Sequence, residues 1–342
     1  MRALKIALHR VDTPSATGCP ALDSARAWPY SPLTSAHPGG EPMRLRRAVA
    51  AAAVVWALSG AYTLFAQEPY WESQPLSYWV SALSGQDAGG RVRAASSLAE
   101  MAMAHGGSAV ASAVPELLPN LGDASADVRE SAARALEQIG APAARPAVPA
   151  LVRLLNGDEN AEVRRRAALA LGRIDPASHE VIAEAARSLR ADRDTTVRVS
   201  AAVLLLASRD AAARASDALT QALSDESSAV RLYSAAALAH TPGGESAVPR
   251  LIAAAEDADP VVRAEAIGLI VELQRDRPDL VDLLVNGLQD VDPEVRGAAA
   301  DALGSLGRRA RPALPALGAL LRDQDESVRE RVLRAVRAIR RS

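Results

Sequence analysis

The stretch DASADVRESAARAL, residues 123–136, and its successor DENAEVRRRAALAL, residues 158–171, decide the fold. Each opens on an aspartate and reaches a Val-Arg pair. Each then places apolar residues four, seven and eight positions beyond the valine. That spacing puts Val128, Ala132, Ala135 and Leu136, or Val163, Ala167, Ala170 and Leu171, on one face of an α-helix. Val295, Ala299, Ala302 and Leu303 repeat it. The dipeptide recurs at Val92-Arg93, Val128-Arg129, Val163-Arg164, Val197-Arg198, Val230-Arg231, Val262-Arg263, Val295-Arg296 and Val328-Arg329, at steps of 36, 35, 34, 33, 32, 33 and 33 residues. Six residues before each arginine stands an aspartate: Asp87, Asp123, Asp158, Asp192, Asp225, Asp257, Asp290 and Asp323. Self-similarity at this period is the signature of a helical repeat array.

The local signals agree with a unit of two helices. Three residues before the valine, seven units carry an N-cap residue: Ser125, Asn160, Asp194, Ser227, Asp259, Asp292 and Asp325. Such a side chain accepts a hydrogen bond from a free first-turn N–H and stabilises the helix by about 1 kcal/mol. Pro260 and Pro293 follow at the first helical position, where no N–H is missed. Leu117-Leu118, Leu154-Leu155 and Leu320-Leu321 mark the first helices, which Pro115, Pro149, Pro249 and Pro315 enter near their starts. Gly140 and Gly307 sit where a second helix should end in a left-handed cap. The first unit departs from the pattern: Gly89 occupies its N-cap place, and Leu98 falls two residues early. The expectation is an all-α, right-handed solenoid of about eight helix pairs over residues 75–342, stabilised by nearest-neighbour interfaces.

This pattern resembles the HEAT repeat, particularly the short bacterial form also found in phycobilisome lyase-like proteins, over residues 75 to 340. The resemblance implies a ladder in which the aspartates and arginines bond between neighbouring repeats: Asp123, Arg129, Asp158, Arg164, Asp192, Arg198, Asp225, Arg231, Asp257, Arg263, Asp290, Arg296, Asp323 and Arg329. It says little about function, because the family ranges from scaffolds to a few enzymes.

Composition narrows the function. Only 3% of the residues are aromatic, which suits a thin two-layer array and not a deep globular core. Lys5 is the only lysine, read as the codon bias of a GC-rich genome. From Gln67 onward there are 32 arginines and 38 acidic residues, a net of −6, which gives no general attraction to nucleic acid or anionic lipid. Cys19 is the only cysteine, so no intrachain disulfide forms.

Met43-Arg44-Leu45-Arg46-Arg47 precedes an uncharged run from Ala48 to Ala66, the layout of a secretory signal over residues 43–66. Cleavage after Ala66 or after Ala61 fits. An uncleaved signal anchor is the alternative, and the membrane would then be a partner only through residues 48–66. Either way the solenoid is expected outside the cytoplasm, in the periplasm or cell envelope or secreted. Residues 1–42 have no helical period and read as an upstream gene-start artefact or a disordered tail.

Within residues 67–84, Tyr70-Trp71 and Tyr78-Trp79 are expected to cap the first hydrophobic seam, with an aromatic ligand site as the alternative. Six arginines in the last fourteen residues read as a solvated end, or as a surface for an acidic partner or lipid headgroup. The three histidines after the signal, His105, His179 and His240, are too far apart to converge on a metal, and His179-Glu180 falls in an expected linker. No nucleophile motif or phosphate-binding glycine loop appears. The reading is therefore a non-enzymatic protein-interaction scaffold without a cofactor, with an enzyme or enzyme subunit of lyase or hydroxylase ancestry as the alternative. The sixth residue after each valine runs Arg134, Leu169, Val203, Ala236, Gly268, Asp301, Arg334. With Arg166 and Tyr233, the segment Arg134, Leu169, Val203 and Ala236 forms a candidate strip for a partner helix or peptide. Packing against neighbouring helices is the competing reading of the same residues.

Overall fold

The turn that joins the two helices of each repeat sets the geometry of the array. The computed structural model describes residues 68–274 and 276–342, so the expected signal and the stretch before it lie outside the described residues. A short antiparallel pair, β1 (Tyr70–Trp71) and β2 (Gln74–Pro75), leads into eight helix pairs. The first helices are α1 (Leu76–Ala82), α3 (Val114–Asn120), α5 (Val148–Gly157), α7 (His179–Ala191), α9 (Ser216–Ala222), α11 (Val248–Ala253), α13 (Leu280–Gly287) and α15 (Leu314–Ala319). The second helices are α2 (Ala88–His105), α4 (Ala126–Ile139), α6 (Ala161–Ile174), α8 (Thr195–Ala207), α10 (Ser228–Ala239), α12 (Pro260–Leu273), α14 (Pro293–Leu306) and α16 (Glu326–Arg341). They stack in chain order as a right-handed α-solenoid, and Pro69–Ser342 forms one compact unit.

The helix starts follow from the sequence. All seven expected N-cap residues occupy the N-cap position, and six use their side chains to bind first-turn N–H groups; Ser125 does not. Pro115, Pro149, Pro249 and Pro315 each fall in the first turn of a first helix, where their missing N–H costs nothing. Second helices end at Gly106, Gly140 and Gly307, and Gly243 lies in the turn after α10; all four have positive φ, which a side chain would strain.

Second helices pack on one another more closely than first helices do. The residue four places after each ladder arginine explains the approach: Ala95, Ala133, Ala168, Ala202, Ala235, Ile267 and Ala300 are all buried, and mostly alanine. The next member of the row, Leu333 on α16, is 43% exposed.

Two expectations need correcting. The first unit starts two residues earlier than its Val92-Arg93 pair suggests. Asp87 is the N-cap, accepting from Gly90 N–H, and Arg91 takes the ladder position in place of Arg93. The early Leu98 belongs to this shifted register. His179-Glu180 is not in a linker: His179 opens α7, with Ser178 at the N-cap position. At the N-terminal end Trp79 is buried, its Nε1 donating to the Trp71 carbonyl, while Tyr70 and Tyr78 are exposed.

Candidate functional site

The ladder is the most regular side-chain feature of the molecule. In the second to eighth repeats the turn aspartate uses Oδ1 to accept the N–H two residues on, as Asp158 does from Asn160 and Asp192 from Asp194. This fixes the carboxylate so that it faces the preceding repeat. The preceding arginine then grips it with Nε and Nη2, as a planar guanidinium suits. Arg91 holds Asp123, Arg129 holds Asp158, Arg164 holds Asp192, Arg198 holds Asp225, Arg263 holds Asp290 and Arg296 holds Asp323, all with Nε–oxygen distances of 2.7–2.9 Å. Nη1 of the same arginine turns back to its own repeat, onto the carbonyl six residues earlier, which is Gly85 for Arg91 and the turn aspartate for the others, as Arg164 binds Asp158. The six-residue spacing is thus the reach of an arginine back to the turn that precedes its helix.

The electrostatics match. Arg91 beside Asp123, Arg263 beside Asp290 and Arg296 beside Asp323 hold those carboxyls below the usual aspartate value. For Asp225, burial works in the opposite direction and Arg198 prevails. Two rungs differ. Arg231 only approaches Asp257, at 3.7 Å, and Arg329 uses Nη1 on the Asp323 and Gln324 carbonyls.

The candidate strip divides along its length. Leu169 and Val203 are half-buried on α6 and α8. Arg134 pairs with Glu100, and Arg166 with Glu130 and Glu137, so both are held by the preceding second helix. Tyr233 and Ala236 are buried and offer no docking surface. The run Leu232–Leu238 is buried throughout because α10 is apolar around most of its circumference, and the Tyr233 hydroxyl bonds the Glu265 carboxyl of α12. Farther on, Gly268 and Asp301 are exposed, and Asp301 pairs with Arg331. An uncharged centre therefore lies between charge-paired flanks.

Among the described residues no group of three or more His, Cys, Asp or Glu is placed to hold a metal ion. No helix among them is long and apolar enough to cross a membrane. Of the buried carboxyls outside the ladder, Glu184 on α7 is the one left part-satisfied: it pairs with Arg187 through Oε2, while Oε1 has no hydrogen-bond partner among the described residues. Burial raises its pKa against the pull of Arg187. The sequence signal for it was a glutamate among the apolar positions of a first helix.

With this geometry in view, a family model described as HEAT repeats matches residues 114–206, 182–269 and 248–337. The chain belongs to the HEAT-repeat family. Comparison with curated protein sequences gives no match. Among known structures, this HEAT-repeat chain is similar to a chain in a homology model of the full-length AP-3 complex in an intermediate open conformation, at 15% identity and a TM-score of 0.51, covering 77% of this chain and 50% of the other. It also resembles the complex of CpcE and CpcF of phycocyanin lyase from Nostoc (21% identity, TM-score 0.45, 79% and 100% covered) and the YibA protein of Escherichia coli (24%, 0.43, 67% and 92%). These likenesses concern the HEAT fold.

Proposed function

We propose that this chain is a non-enzymatic protein-interaction scaffold of the cell envelope that receives a partner helix or peptide along its second helices. The half-buried pair Leu169 and Val203 carries the reading. These side chains lie one repeat apart on adjacent second helices, between flanks whose charges are already paired. An apolar partner face gains by covering them, whereas the ion-paired flanks gain little from a new contact. Export is part of the same proposal, supported by the basic and apolar run from Met43 to Ala66.

A photo-crosslinking residue at position 169 or 203 is expected to give a discrete protein adduct in the native envelope. The same residue at exposed Met103 should not. Leu169→Asp with Val203→Asp should abolish the adduct while the helical melt stays cooperative. Unfolding of that double variant, or equal adducts at Met103, counts against docking. N-terminal sequencing of the native protein tests the cleaved signal: a chain that retains Ala21 to Pro42 refutes cleavage and the gene-start artefact and leaves the uncleaved anchor. Bound iron or a pigment in the purified protein would favour the enzyme reading instead.

A further inference from the structure

One rung of the ladder is incomplete for a reason visible in the chain, and a cleft opens beside it. From Arg198 to Asp225, Arg263 to Asp290 and Arg296 to Asp323 the separation is 27 residues, and each pair closes to within 2.9 Å. From Arg231 to Asp257 it is one residue shorter. Asp257 is still tied to its own turn, its Oδ1 accepting from Asp259 N–H at 3.0 Å, and it stops 3.7 Å from Arg231 Nη2. Arg231 keeps its other bonds, from Nη1 to the Asp225 and Glu226 carbonyls and from Nη2 to Ser228 Oγ. Its Nε has no acceptor among the described residues. In six other repeats that same edge holds a carboxylate.

The cleft at this rung has a volume of about 240 Å³. Its apolar wall is Leu223, Leu232, Ala253 and Ala254, and its polar rim carries Arg231, Arg250, Ser228 and Asp257. Arg250 is exposed and donates from Nη1 to the Leu223 carbonyl at 3.2 Å. Two guanidinium groups against one carboxylate leave the rim with one positive charge in excess. A guanidinium edge whose counterparts bind carboxylate, that excess charge and a short apolar wall together specify the ligand.

We infer that this cleft binds a carboxylate carried on a short branched apolar group, with Arg231 as its anchor and Arg250 as the second cation. The carboxylate has two possible sources, a small free acid and the C-terminus of a peptide ending in a residue such as valine. The inference goes beyond the docking strip and stands on different residues, so Leu169→Asp with Val203→Asp leaves it intact.

The test titrates the full chain with N-acetyl-L-valine, with a hexapeptide ending in free valine, and with the same hexapeptide as its C-terminal amide, following backbone amide shifts by NMR. Both free acids are expected to give saturable shifts from Ser228 to Leu232 and from Ala253 to Asp257, and the amide none. Arg231→Gln should weaken binding about tenfold or more, as loss of a charge-assisted hydrogen bond implies. Ala253→Leu keeps Arg231 and should block the cleft by volume. Asp257→Asn should tighten binding by removing the competing carboxylate, which a purely structural rung would not do. Tighter binding of the peptide than of N-acetylvaline identifies a C-terminus as the source, and equal binding identifies the small acid. The inference is overturned if neither acid gives saturable shifts there, if the amide binds equally, or if Arg231→Gln and Ala253→Leu both leave binding unchanged.

Discussion

Arg164 on α6 holds Asp192 of the next repeat through two parallel hydrogen bonds of 2.8 and 2.9 Å, with both side chains less than a tenth exposed. A rung of this kind links units that otherwise share only apolar surface, and it specifies which turn faces which helix. Removing one partner strands the other's charge away from water. Arg164→Gln is therefore expected to destabilise Pro69–Ser342 by about 2–4 kcal/mol, read from the midpoint of urea unfolding. A loss below about 0.5 kcal/mol would show the rung to be ornamental.

The rung at Arg231 supplies the contrast. Its arginine is 39% exposed and its nearest Asp257 oxygen lies at 3.7 Å. Arg231→Gln should cost less than about 1 kcal/mol, the value of a solvent-screened pair. The α10–α12 interface, where second helices pack less closely than elsewhere, should open first. Hydrogen exchange can check this: amides of α10 and α12 should lose protection before those of α4 and α6. Uniform protection along the array would refute the weak interface.

Acid affects the shifted carboxyls in two opposite ways. The aspartates at 123, 225, 290 and 323 have folded pKa values below the ordinary one, so their stabilisation is complete above that value and is lost as pH falls through the folded values. Glu184 is reversed. Its folded pKa lies above the ordinary 4.5, so its ionisation costs stability once pH rises through the folded value, and the cost is absent below 4.5. Glu184→Gln should accordingly be more stable than the parent at pH 7, with the difference vanishing as pH falls toward 4.5. His240 is held low by burial and by Arg209, and it adds an acid penalty of its own, but it is common to both proteins and cancels in the difference. Melting both proteins across this range tests the sign. A less stable Glu184→Gln at pH 7 would mean that the bond to Arg187 outweighs the burial of the charge.

Much of this architecture was legible beforehand because it is written locally and repeated. Asn160, Asp194 and Asp292 act within three residues of themselves, so their spacing alone reveals the helix starts. The first unit misled because Val92-Arg93 imitates the motif while Arg91 has the reach to Asp123, which only the shifted helix start reveals. The strip was harder, because its burial depends on distant partners. Tyr233 and Glu265 meet across 32 residues of chain, and nothing in α10 alone announces that contact. The incomplete rung is visible as a missing residue between Arg231 and Asp257, but its meaning needed the six closed rungs for comparison.

Glycines separate turns that tolerate no side chain from helix positions that would gain one. Gly107 begins the turn after α2, and a Cβ there would collide with the backbone of Ile139 at the end of α4. Neither side can yield without moving a helix end, so Gly107→Ala is expected to lose about 2 kcal/mol or more. Gly268 is the opposite case. It lies exposed within α12, with nothing within 4 Å of an added Cβ. Gly268→Ala restricts only the unfolded chain and should raise stability by about 0.5–1 kcal/mol. The two variants, measured side by side by urea unfolding, test the packing at both places. Equal effects would mean that the close contact at Gly107 relaxes freely, or that the open face at Gly268 is covered.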